Sequence, residues 1–491
     1  MKRTVISAAV AAAFAGLSGQ ALALAPGAFD PATTLQINIT GASAQRNQLL
    51  NAMRLICVAG TMDEYRQPNS SGGAEQFAWF CQRNTTVITG LTTANLAVYK
   101  SDFGGSGSGV QPVADNATAL LLDMQVLENS LSTVTGLPTL CGASSVAGTG
   151  NTLGLISYST RVCSSSTIAK PTMIGFSDVE PALFGASAAQ QGRLNINATN
   201  ALVFGVPVTT NLRNTLQVAQ GLISGAEDEA NMPSITKSQV AAIYSGQLAD
   251  WSNFFGTTTG TALNNPTGDN QIYIARRVDS SGTQTSARVF FLNDPCAAGM
   301  DDFVTGNDTT VCGAGTVAVG GNVYEGSGSG DVTSCLSNHF DDGRWAIGVL
   351  SLEFSDTTTK YRFIKVDGDS PSLLNVVNGK YQYWMEPTMQ WRKSPSPNPL
   401  ANPELNFATQ LRNKLQDVNV IRSINSGFAH GWGTSGLLAL SSGLAAPSSP
   451  PYADADINTN PVNTHTKSPA GGAPVNCQPP LPVFSTEIGN N

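Results

Sequence analysis

Short apolar stretches alternate with segments of helical periodicity along much of the chain. Residues 35–39 alternate apolar and polar side chains as a half-buried strand does, and residues 48–58 place apolar side chains at helical spacing. Three further apolar runs, at residues 96–99, 173–176 and 271–275, each end at a cluster of small polar residues. Strands that alternate with helical segments predict an α/β fold built on mostly parallel sheets.

The first residues have the pattern of an export signal. Lys2 and Arg3 precede an apolar stretch at residues 5–17, and small-residue triplets at residues 21–25 offer cleavage sites. The apolar stretch is shorter than the roughly 20 residues that a membrane span requires. We therefore predict a signal peptide over residues 1–25, a mature protein in the periplasm or outside the cell, and no membrane insertion once the signal is removed.

The charge balance excludes several classes of partner. Only 12% of the residues are charged, and 26 Lys plus Arg stand against 34 Asp plus Glu, for a formal net charge of −8. Such a chain lacks the basic surface by which proteins bind nucleic acid or anionic membranes. Because 41% of the residues are apolar and no long charged run occurs, a folded core is expected rather than disorder.

The cysteines predict disulfides rather than a metal site. Their number, 8, is even, which suits an exported chain, and no C-x-x-C spacing occurs. The first cysteine lies far from the predicted cleavage site, so no lipid anchor is expected. No cofactor is expected either. Pairing of nearest neighbours would give the bridges Cys57–Cys81, Cys141–Cys163 and Cys296–Cys312. The sequence leaves this connectivity open, and it also leaves open the partners of Cys335 and Cys477. Cys477 is a candidate tether of the C-terminal tail.

Four loops that follow predicted strands share glycine and small hydroxyl residues. Glycine lets the backbone approach a ligand, hydroxyl groups add donors, and the N–H groups at a helix start are unpaired, so such loops suit an anion. Gly-Ser runs are also typical of flexible linkers, but their position at four strand ends favours an anion site. The loops are Gly41-Ala42-Ser43-Ala44, Gly105-Ser106-Gly107-Ser108-Gly109-Val110, Phe176-Ser177-Asp178 and Arg277-Val278-Asp279-Ser280-Ser281-Gly282-Thr283.

Two charged residues in these loops point to a particular kind of anion. The guanidinium of Arg277 matches an oxyanion bidentately, and Asp279 is placed to steer it. The alternative is an ordinary surface Arg–Asp pair. Asp178 would repel an anion unless the ligand carries a proton, as monohydrogen phosphate does and sulfate at neutral pH does not. The alternative for Asp178 is a helix N-cap.

In this order the loops resemble the ligand loops of bacterial periplasmic phosphate-binding proteins, the PstS-like substrate-binding proteins of ABC transporters. Residues 235–246, with Asp250-Trp251-Ser252, are similar to the helix that precedes the arginine loop in that family, and residues 346–349 are similar to a later strand. The resemblance covers about residues 35–435, with insertions. It implies a two-lobed type II periplasmic-binding fold, α/β in each lobe, with disulfide-tied insertions and the ligand in the cleft between the lobes.

The resemblance also implies a ligand set drawn from all four loops. The first loop would give mainly backbone donors, Ser106 a hydroxyl, Asp178 the proton acceptor and Arg277 the charged contact, supported by Asp279. Gln45 stands where the family commonly has Thr, and the long insertion before Asp178 is a second departure. The phosphate-binding residues would be Ser43, Ala44, Gln45, Ser106, Asp178, Arg277, Ser281, Gly282 and Thr283.

The same resemblance divides the chain into segments. The first crossing between the lobes would lie at residues 206–211, and the return near residues 370–380. The tail, which is rich in Pro, Ser and Asn, is expected to be mobile. The segments are a first part of lobe 1 at residues 26–205 with an insertion at about 113–170, lobe 2 at 206–375, a return to lobe 1 at 376–440, and the tail at 441–491.

The expected function is therefore an exported, non-catalytic binder of inorganic phosphate or a similar protonated oxyanion, for scavenging or for uptake with an ABC-transporter permease. Two alternatives stay open. The Ser/Thr/Gly-rich insertions equally suit a surface-associated protein that reuses the binding fold for adhesion or assembly. A secreted hydrolase is the other, although His339, His430 and His465 are far apart and neither H-E-x-x-H nor a suitably placed G-x-S-x-G occurs.

Overall fold

The structure is a computed structural model, and the predicted signal peptide lies outside the residues that it describes. Among the described residues, no helix has both the length and the apolar character needed to cross a membrane. The described residues are 28–68, 75–131, 139–149, 153–164, 166–254, 262–308, 312, 321–353, 360–468 and 472–484.

Strands and helices alternate through most of the chain. The strands are β1 (Thr34–Gly41), β2 (Asp63–Pro68), β3 (Glu75–Gln82), β4 (Asn95–Ser101), β5 (Thr118–Leu122), β6 (Ser145–Ala147), β7 (Tyr158–Val162), β8 (Thr167–Pro171), β9 (Ile174–Ser177), β10 (Leu194–Ala198), β11 (Ala201–Thr209), β12 (Ser234–Ile235), β13 (Tyr273–Arg277), β14 (Val323–Gly326), β15 (Ala346–Gly348), β16 (Leu350–Ser351), β17 (Tyr361–Val366), β18 (Trp384–Met385), β19 (Thr388–Arg392), β20 (Ala429–His430), β21 (Gly433–Thr434), β22 (Leu437–Leu438), β23 (His465–Thr466) and β24 (Leu481–Pro482). The helices are α1 (Arg46–Ile56), α2 (Gly105–Ser108), α3 (Gln111–Ala114), α4 (Met124–Leu131), α5 (Ala188–Gly192), α6 (Thr210–Ala219), α7 (Lys237–Tyr244), α8 (Gly282–Ala287), α9 (Ser329–Asp341), α10 (Leu373–Val377), α11 (Glu404–Leu415), α12 (Val418–Asn425) and α13 (Asp454–Thr459).

Hydrophobic periodicity predicts the first elements well. In α1 the side chains of Leu49, Ala52, Met53 and Ile56 follow helical spacing, and all four are fully buried. The predicted strands at residues 35–39, 96–99, 173–176 and 271–275 correspond to β1, β4, β9 and β13. Each of these strands is followed by one of the four predicted loops.

The first sheet has the strand order β10-β19-β9-β1-β4-β3-β2-β7-β6. Strand β1 lies between β9 and β4 and is parallel to both. The carboxyl ends of these three strands therefore meet at one edge of the sheet, and the three loops that follow them start side by side. We call the part of the molecule built on this sheet lobe 1.

The second sheet has the order β12-β17-β11-β15-β13-β14, with β16, β18 and β22 also pairing with β11. Strand β13 lies between β15 and the edge strand β14 and is parallel to both, so the arginine loop leaves the sheet from an interior strand. We call the part built on this sheet lobe 2.

The prediction of mostly parallel sheets is wrong, because both sheets are mixed. Strand β11 pairs antiparallel with β15, β16, β17, β18 and β22. In lobe 1, β3 is antiparallel to β2 and β4, and β19 is antiparallel to β9 and β10. The antiparallel pairs come from hairpins such as β2–β3 and from strands near the points where the chain passes between the lobes.

Two separate apolar cores lie on the faces of the first sheet. One contains Ile37, Leu49 and Phe407, and the other contains Phe80 and Leu127. A larger core continues from lobe 2 into the segments that connect the lobes.

Among the described residues, the chain passes between the two sheets three times. The first passage, between β10 and β11, lies at residues 199–200, where the resemblance implied residues 206–211. The second passage, between β18 and β19, lies at residues 386–387, where the resemblance implied residues near 370–380. These two passages are short extended segments between two strands. The third passage lies between β19 and β22, because β22 pairs with β11 of the second sheet.

The disulfides correct one predicted pair. Cys57–Cys81 and Cys141–Cys163 form as predicted. Cys296 does not pair with Cys312, its nearest neighbour in sequence. It pairs instead with Cys477, across 181 residues, while Cys312 pairs with Cys335 in α9. Nearest-neighbour spacing failed here because the tail folds back onto lobe 2.

The described part of the tail is packed against the rest of the protein, which contradicts the expectation of mobility. Ile457 and Val462 are buried, and Thr464 and Asn476 are also inaccessible to solvent. The segment predicted as an insertion, residues 113–170, contributes β6 and β7 to the first sheet and also contains the β5 strand that pairs with β8.

Candidate functional site

Close packing of glycines brings the three loops of lobe 1 together. Gly41 ends β1, Gly109 follows α2 and Gly175 lies in β9. A Cβ on Gly41 would lie 2.9 Å from Gly109 Cα, and a Cβ on Gly175 would lie 2.7 Å from the carbonyl carbon of Gly109. The N–H of Ala42 also donates to the carbonyl of Phe176, at 2.9 Å. Glycine is required at these positions because the backbones touch.

Ser106 and Asp178 meet at the centre of this loop cluster. The backbone N–H of Asp178 donates to Ser106 Oγ at 3.0 Å, and both residues are buried. This bond fixes the start of the segment that follows β9. The Asp178 carboxylate is therefore not acting as the N-cap that was the alternative interpretation, because no helix starts directly after it; a short 3-10 turn begins only at Pro181.

The arginine loop of lobe 2 packs directly onto the lobe 1 cluster. The N–H of Gly107 donates to the carbonyl of Ser280 at 3.0 Å. A Cβ on Gly282 would lie 2.5 Å from Asp178 Cβ and 2.7 Å from Asp178 Oδ2, and would also overlap Ser106 Oγ. The structure thus brings Ser106, Asp178 and Gly282 together from two lobes, with the lobes closed on each other. Ser281 and Thr283, the neighbours of Gly282, are buried in the same contact.

Arg277 is completely buried at the end of β13, and its guanidinium is only partly used by the protein. Nη1 donates to Ser329 Oγ and Nη2 to the carbonyl of Ser327, both at 2.8 Å. Nε has no hydrogen-bond partner among the described residues. Burial lowers the pKa of Arg277, and the charges of Asp178 and Asp331 oppose that effect.

Asp178 interacts electrostatically with this arginine. Among the described residues, Oδ1 of the carboxylate is buried without a hydrogen-bond partner, and no ion pair joins it to Arg277. Burial raises the pKa of Asp178 to about 6, while the charges of Arg277 and Lys100 limit the rise. At neutral pH the group is therefore largely ionised and acts as an acceptor, and its charge interacts with that of Arg277.

A buried ion-pair group lies beside the same loops. Lys100, the penultimate residue of β4, pairs with Asp102 and donates to the carbonyl of Gly41 at 2.8 Å. Arg46, the first residue of α1, pairs with Asp102 at 3.2 Å. Burial lowers the pKa of Lys100, and the charge of Asp102 opposes this. The group carries one net positive charge and ties the first loop to the second.

The Gln45 side chain is used within the protein, while the backbone donors that the resemblance implied for the first loop stay a prediction. The Gln45 side chain donates to the carbonyl of Ser177 at 2.9 Å and accepts from Thr199 at 3.2 Å, so it connects loops rather than facing the cleft. Ala44 is buried, and the carbonyl of the half-buried Ser43 accepts from the N–H of Arg46 at 3.0 Å.

The predicted support of Arg277 by Asp279 is wrong. Asp279 pairs with Arg276 instead. Successive side chains of a strand point to opposite faces, so Arg276 and Arg277 leave β13 on opposite sides, and Asp279 lies on the side of Arg276. Arg276 also lies near Glu325, at 3.6 Å.

Arg277 is supported by a second Gly-Ser run, residues 326–330, which is not among the four loops predicted from the sequence. The Asp331 carboxylate accepts from Ser327 Oγ and from the N–H of Gly328, both at 2.8 Å, and so fixes the turn that binds the arginine. Its position in the sequence could have indicated this role. The run follows strand β14 and precedes helix α9, and the four predicted loops also follow strands. Lys100 was also detectable, as a lysine that continues an apolar strand.

One group of residues has the composition of a metal site but not its chemistry. Ligand atoms of Cys312, Cys335 and His339 lie within 4.8 Å of one another and are buried. The two sulfurs are joined in a disulfide, so neither is a thiolate able to bind a metal ion.

Solved phosphate-binding proteins are similar to this chain at low sequence identity. An ABC-type phosphate transport receptor from Vibrio cholerae is 14% identical over 53% of this chain and 79% of that chain, with a TM-score of 0.31. PstS from Borrelia burgdorferi is 14% identical over 54% of this chain and 79% of that chain, with a TM-score of 0.29. No protein-family model matches the chain, and no curated protein matches it either.

Proposed function

We propose that this protein is an exported, non-catalytic binder of inorganic phosphate or a similar protonated oxyanion, held in the cleft between the lobes. One observation carries the proposal: Arg277 Nε is a buried donor and Asp178 Oδ1 a buried acceptor, and neither has a partner among the described residues. A ligand that accepts from the arginine and donates to the aspartate satisfies both. A protonated tetrahedral oxyanion has both functions on one small molecule.

The cost of leaving these atoms unpaired supports a ligand there. A buried polar group without a hydrogen bond costs about 1–3 kcal/mol, and more when it is charged. Native proteins keep few such groups, so a buried donor and a buried acceptor on two residues that interact electrostatically support a ligand that pairs with both. Sulfate at neutral pH accepts but does not donate, and it would leave the Asp178 carboxylate facing a second negative charge.

The contact between the lobes supports capture by closure. Gly107 and Ser280 bond across the cleft, and Gly282 lies against Ser106 and Asp178. A ligand at this place would be shielded from water, so that fixed donors replace its hydration. Affinity then depends on how well the donors are preorganised, which is the role of Asp331 and of the Lys100–Asp102 pair.

Export and delivery complete the proposal. Four disulfides support an oxidising compartment, because such bonds persist outside the cytoplasm. In this proposal the bound anion is either scavenged or handed to an ABC-transporter permease.

Titration calorimetry of the mature protein with phosphate, arsenate and sulfate tests the proposal. Phosphate and arsenate should bind at pH 7, and sulfate should give no binding heat at the same concentrations. Sulfate binding as tight as phosphate binding would remove the role given to Asp178. Absence of binding by both phosphate and arsenate would reject the proposed function as a whole.

A further inference from the structure

A second buried carboxyl group, that of Glu353 in lobe 2, interacts electrostatically with the charged groups of the same cleft. Glu353 follows β16, which pairs with β11 close to the first passage between the lobes. The intervening residue, Leu352, is fixed by a hydrogen bond from its N–H to the carbonyl of Val203, at 2.9 Å. Only 7% of Glu353 is exposed, so its side chain is inside the protein.

The charged groups around Glu353 are those of the proposed site. Asp178, Arg46 and Asp102 act electrostatically on its carboxyl group, and Arg277 in turn interacts with Glu353. Among the described residues, Oε2 of Glu353 has no hydrogen-bond partner, like Oδ1 of Asp178. Burial, reinforced by the charge of Asp178, raises the pKa of Glu353 well above its ordinary value.

A count of charges shows which form of Glu353 an anion requires. The ion-pair group of Arg46, Lys100 and Asp102 contributes one net positive charge, and Arg277 contributes a second. Asp178 and Asp331, whose carboxylate fixes the turn that binds Arg277, contribute one negative charge each, so an ionised Glu353 would make the sum negative and would repel an oxyanion. With Glu353 neutral, the charges balance, so the directed donors can bind the anion, and Asp178 still accepts the proton of the ligand.

We propose that neutral Glu353 donates its carboxyl proton in a hydrogen bond to an oxygen of the bound anion, while Asp178 accepts the ligand's own proton. This inference rests on the proposed function. It adds a specificity-determining residue from lobe 2 and defines the ligand further. The anion has to present one protonated oxygen to lobe 1 and an unprotonated oxygen to Glu353.

Two substitutions of Glu353, measured by calorimetry with inorganic phosphate at pH 6, separate a neutral donor from other roles. Glu353→Gln keeps the shape and an N–H donor without a charge, and its affinity should stay within about threefold of the wild type. Glu353→Ala removes the donor and should weaken binding roughly tenfold or more, as expected for a hydrogen bond to a charged partner. Unchanged affinity in the alanine variant would overturn the inference. Equal loss in both variants would also overturn it, because the carboxylate charge would then be required.

Glu64 provides a matched control, because it is a buried carboxylate of lobe 1 bound to Trp79 and Thr160 at 3.1 and 2.7 Å. Glu64→Gln should leave phosphate affinity unchanged. The two proposals fail differently. A wild-type protein that binds neither phosphate nor arsenate rejects the proposed function together with this inference. Binding by the wild type with an unaffected Glu353→Ala variant rejects only the role of Glu353.

Discussion

At the scale of single residues, the buried guanidinium of Arg277 uses some of its N–H donors within the protein and leaves another for the proposed ligand. Ser329 and the carbonyl of Ser327 take two of its N–H groups and fix the plane of the guanidinium. Nε remains without a partner among the described residues and is fully buried. The direction of the donors, and not only the charge, is therefore expected to determine binding.

The first prediction replaces Arg277 with lysine. Arg277→Lys keeps the positive charge but cannot contact Ser329, Ser327 and a ligand in the same fixed directions, so phosphate affinity should fall about tenfold or more. Calorimetry measures the change, and thermal unfolding without ligand checks folding. Arg288→Lys is the control, since Arg288 pairs with Asp302 at 3.0 Å in lobe 2. An Arg277→Lys variant with the affinity of the wild type would contradict the role given to the fixed directions of the guanidinium donors.

The second prediction concerns the ionisation of Asp178 without ligand. Its pKa is about 6 in the folded protein against an ordinary value of 3.8, so the folded state holds the proton more tightly than the unfolded state. The stability that this provides is complete below pH 3.8 and is lost as the pH rises through 6, to a total of about 3 kcal/mol. Asp178→Asn removes this loss.

Urea unfolding of the ligand-free protein between pH 4 and pH 8 measures this effect. The stability of Asp178→Asn relative to the wild type should increase as the pH rises from about 4 to about 7, and then level off. A difference that stays constant over this range would show that burial does not raise the pKa of Asp178.

At the scale of elements, the site is built from strand ends and the glycines that follow them. Strands β9, β1 and β4 run parallel in lobe 1, and β13 ends opposite them in lobe 2. Helix α8 starts at Gly282, where a side chain would collide with Ser106 and Asp178. Closure of the lobes at this contact therefore requires glycine.

The third prediction is that Gly282→Ala prevents full closure. A Cβ at this position would lie 2.5 Å from Asp178 Cβ, well inside van der Waals contact, so the lobes should stay slightly apart and phosphate affinity should fall about a hundredfold. Gly192→Ala is the matched control, because a Cβ on Gly192 at the end of α5 meets nothing within 4 Å. Equal affinity in the two variants would contradict a ligand enclosed at this contact.

The sequence was most informative about strands and their loops, and least informative about side-chain directions. Apolar runs predicted β1, β4, β9 and β13, since a buried strand needs apolar residues at fixed intervals. The pairing of Asp279 could not be decided, because two arginines stand next to each other and point to opposite faces. The role proposed for Glu353 could not be predicted, because the position of this residue depends on how β16 pairs with β11 across long sequence separations.

At the scale of the whole molecule, the C-terminal tail connects distant parts of the protein, although its composition predicted a mobile segment. Asn476 donates to Glu180 Oε1 and Oε2, at 2.9 and 2.6 Å, and accepts from the N–H of Glu386 at 2.8 Å. The next residue, Cys477, is bound to Cys296 of lobe 2. A Pro- and Asn-rich segment without a core of its own is thus ordered by buried hydrogen bonds and one disulfide.

The fourth prediction is that the double variant Cys296→Ser/Cys477→Ser releases the tail. Lys467 is buried in the wild type, with Nζ donating to the carbonyl of Trp384 at 2.7 Å, so trypsin should not cleave after it. The double variant should be cleaved at Lys467 and should lose about 2–5 kcal/mol of stability. Limited proteolysis with mass spectrometry measures the cleavage.

The control for this experiment breaks a local bridge. Cys57→Ser/Cys81→Ser opens a loop with a sequence separation of 24 in lobe 1 and should leave Lys467 protected. Cleavage at Lys467 in the wild type, or protection in both double variants, would show that the Cys296–Cys477 bond does not hold the tail in place.

The most direct test of the account is a crystal structure of the mature protein grown with phosphate. The account predicts one tetrahedral anion between the lobes, bound by Arg277 and within hydrogen-bond distance of Asp178 and Ser106. Phosphate bound at another place, or a closed cleft without phosphate in a protein saturated with it, would contradict the central claim.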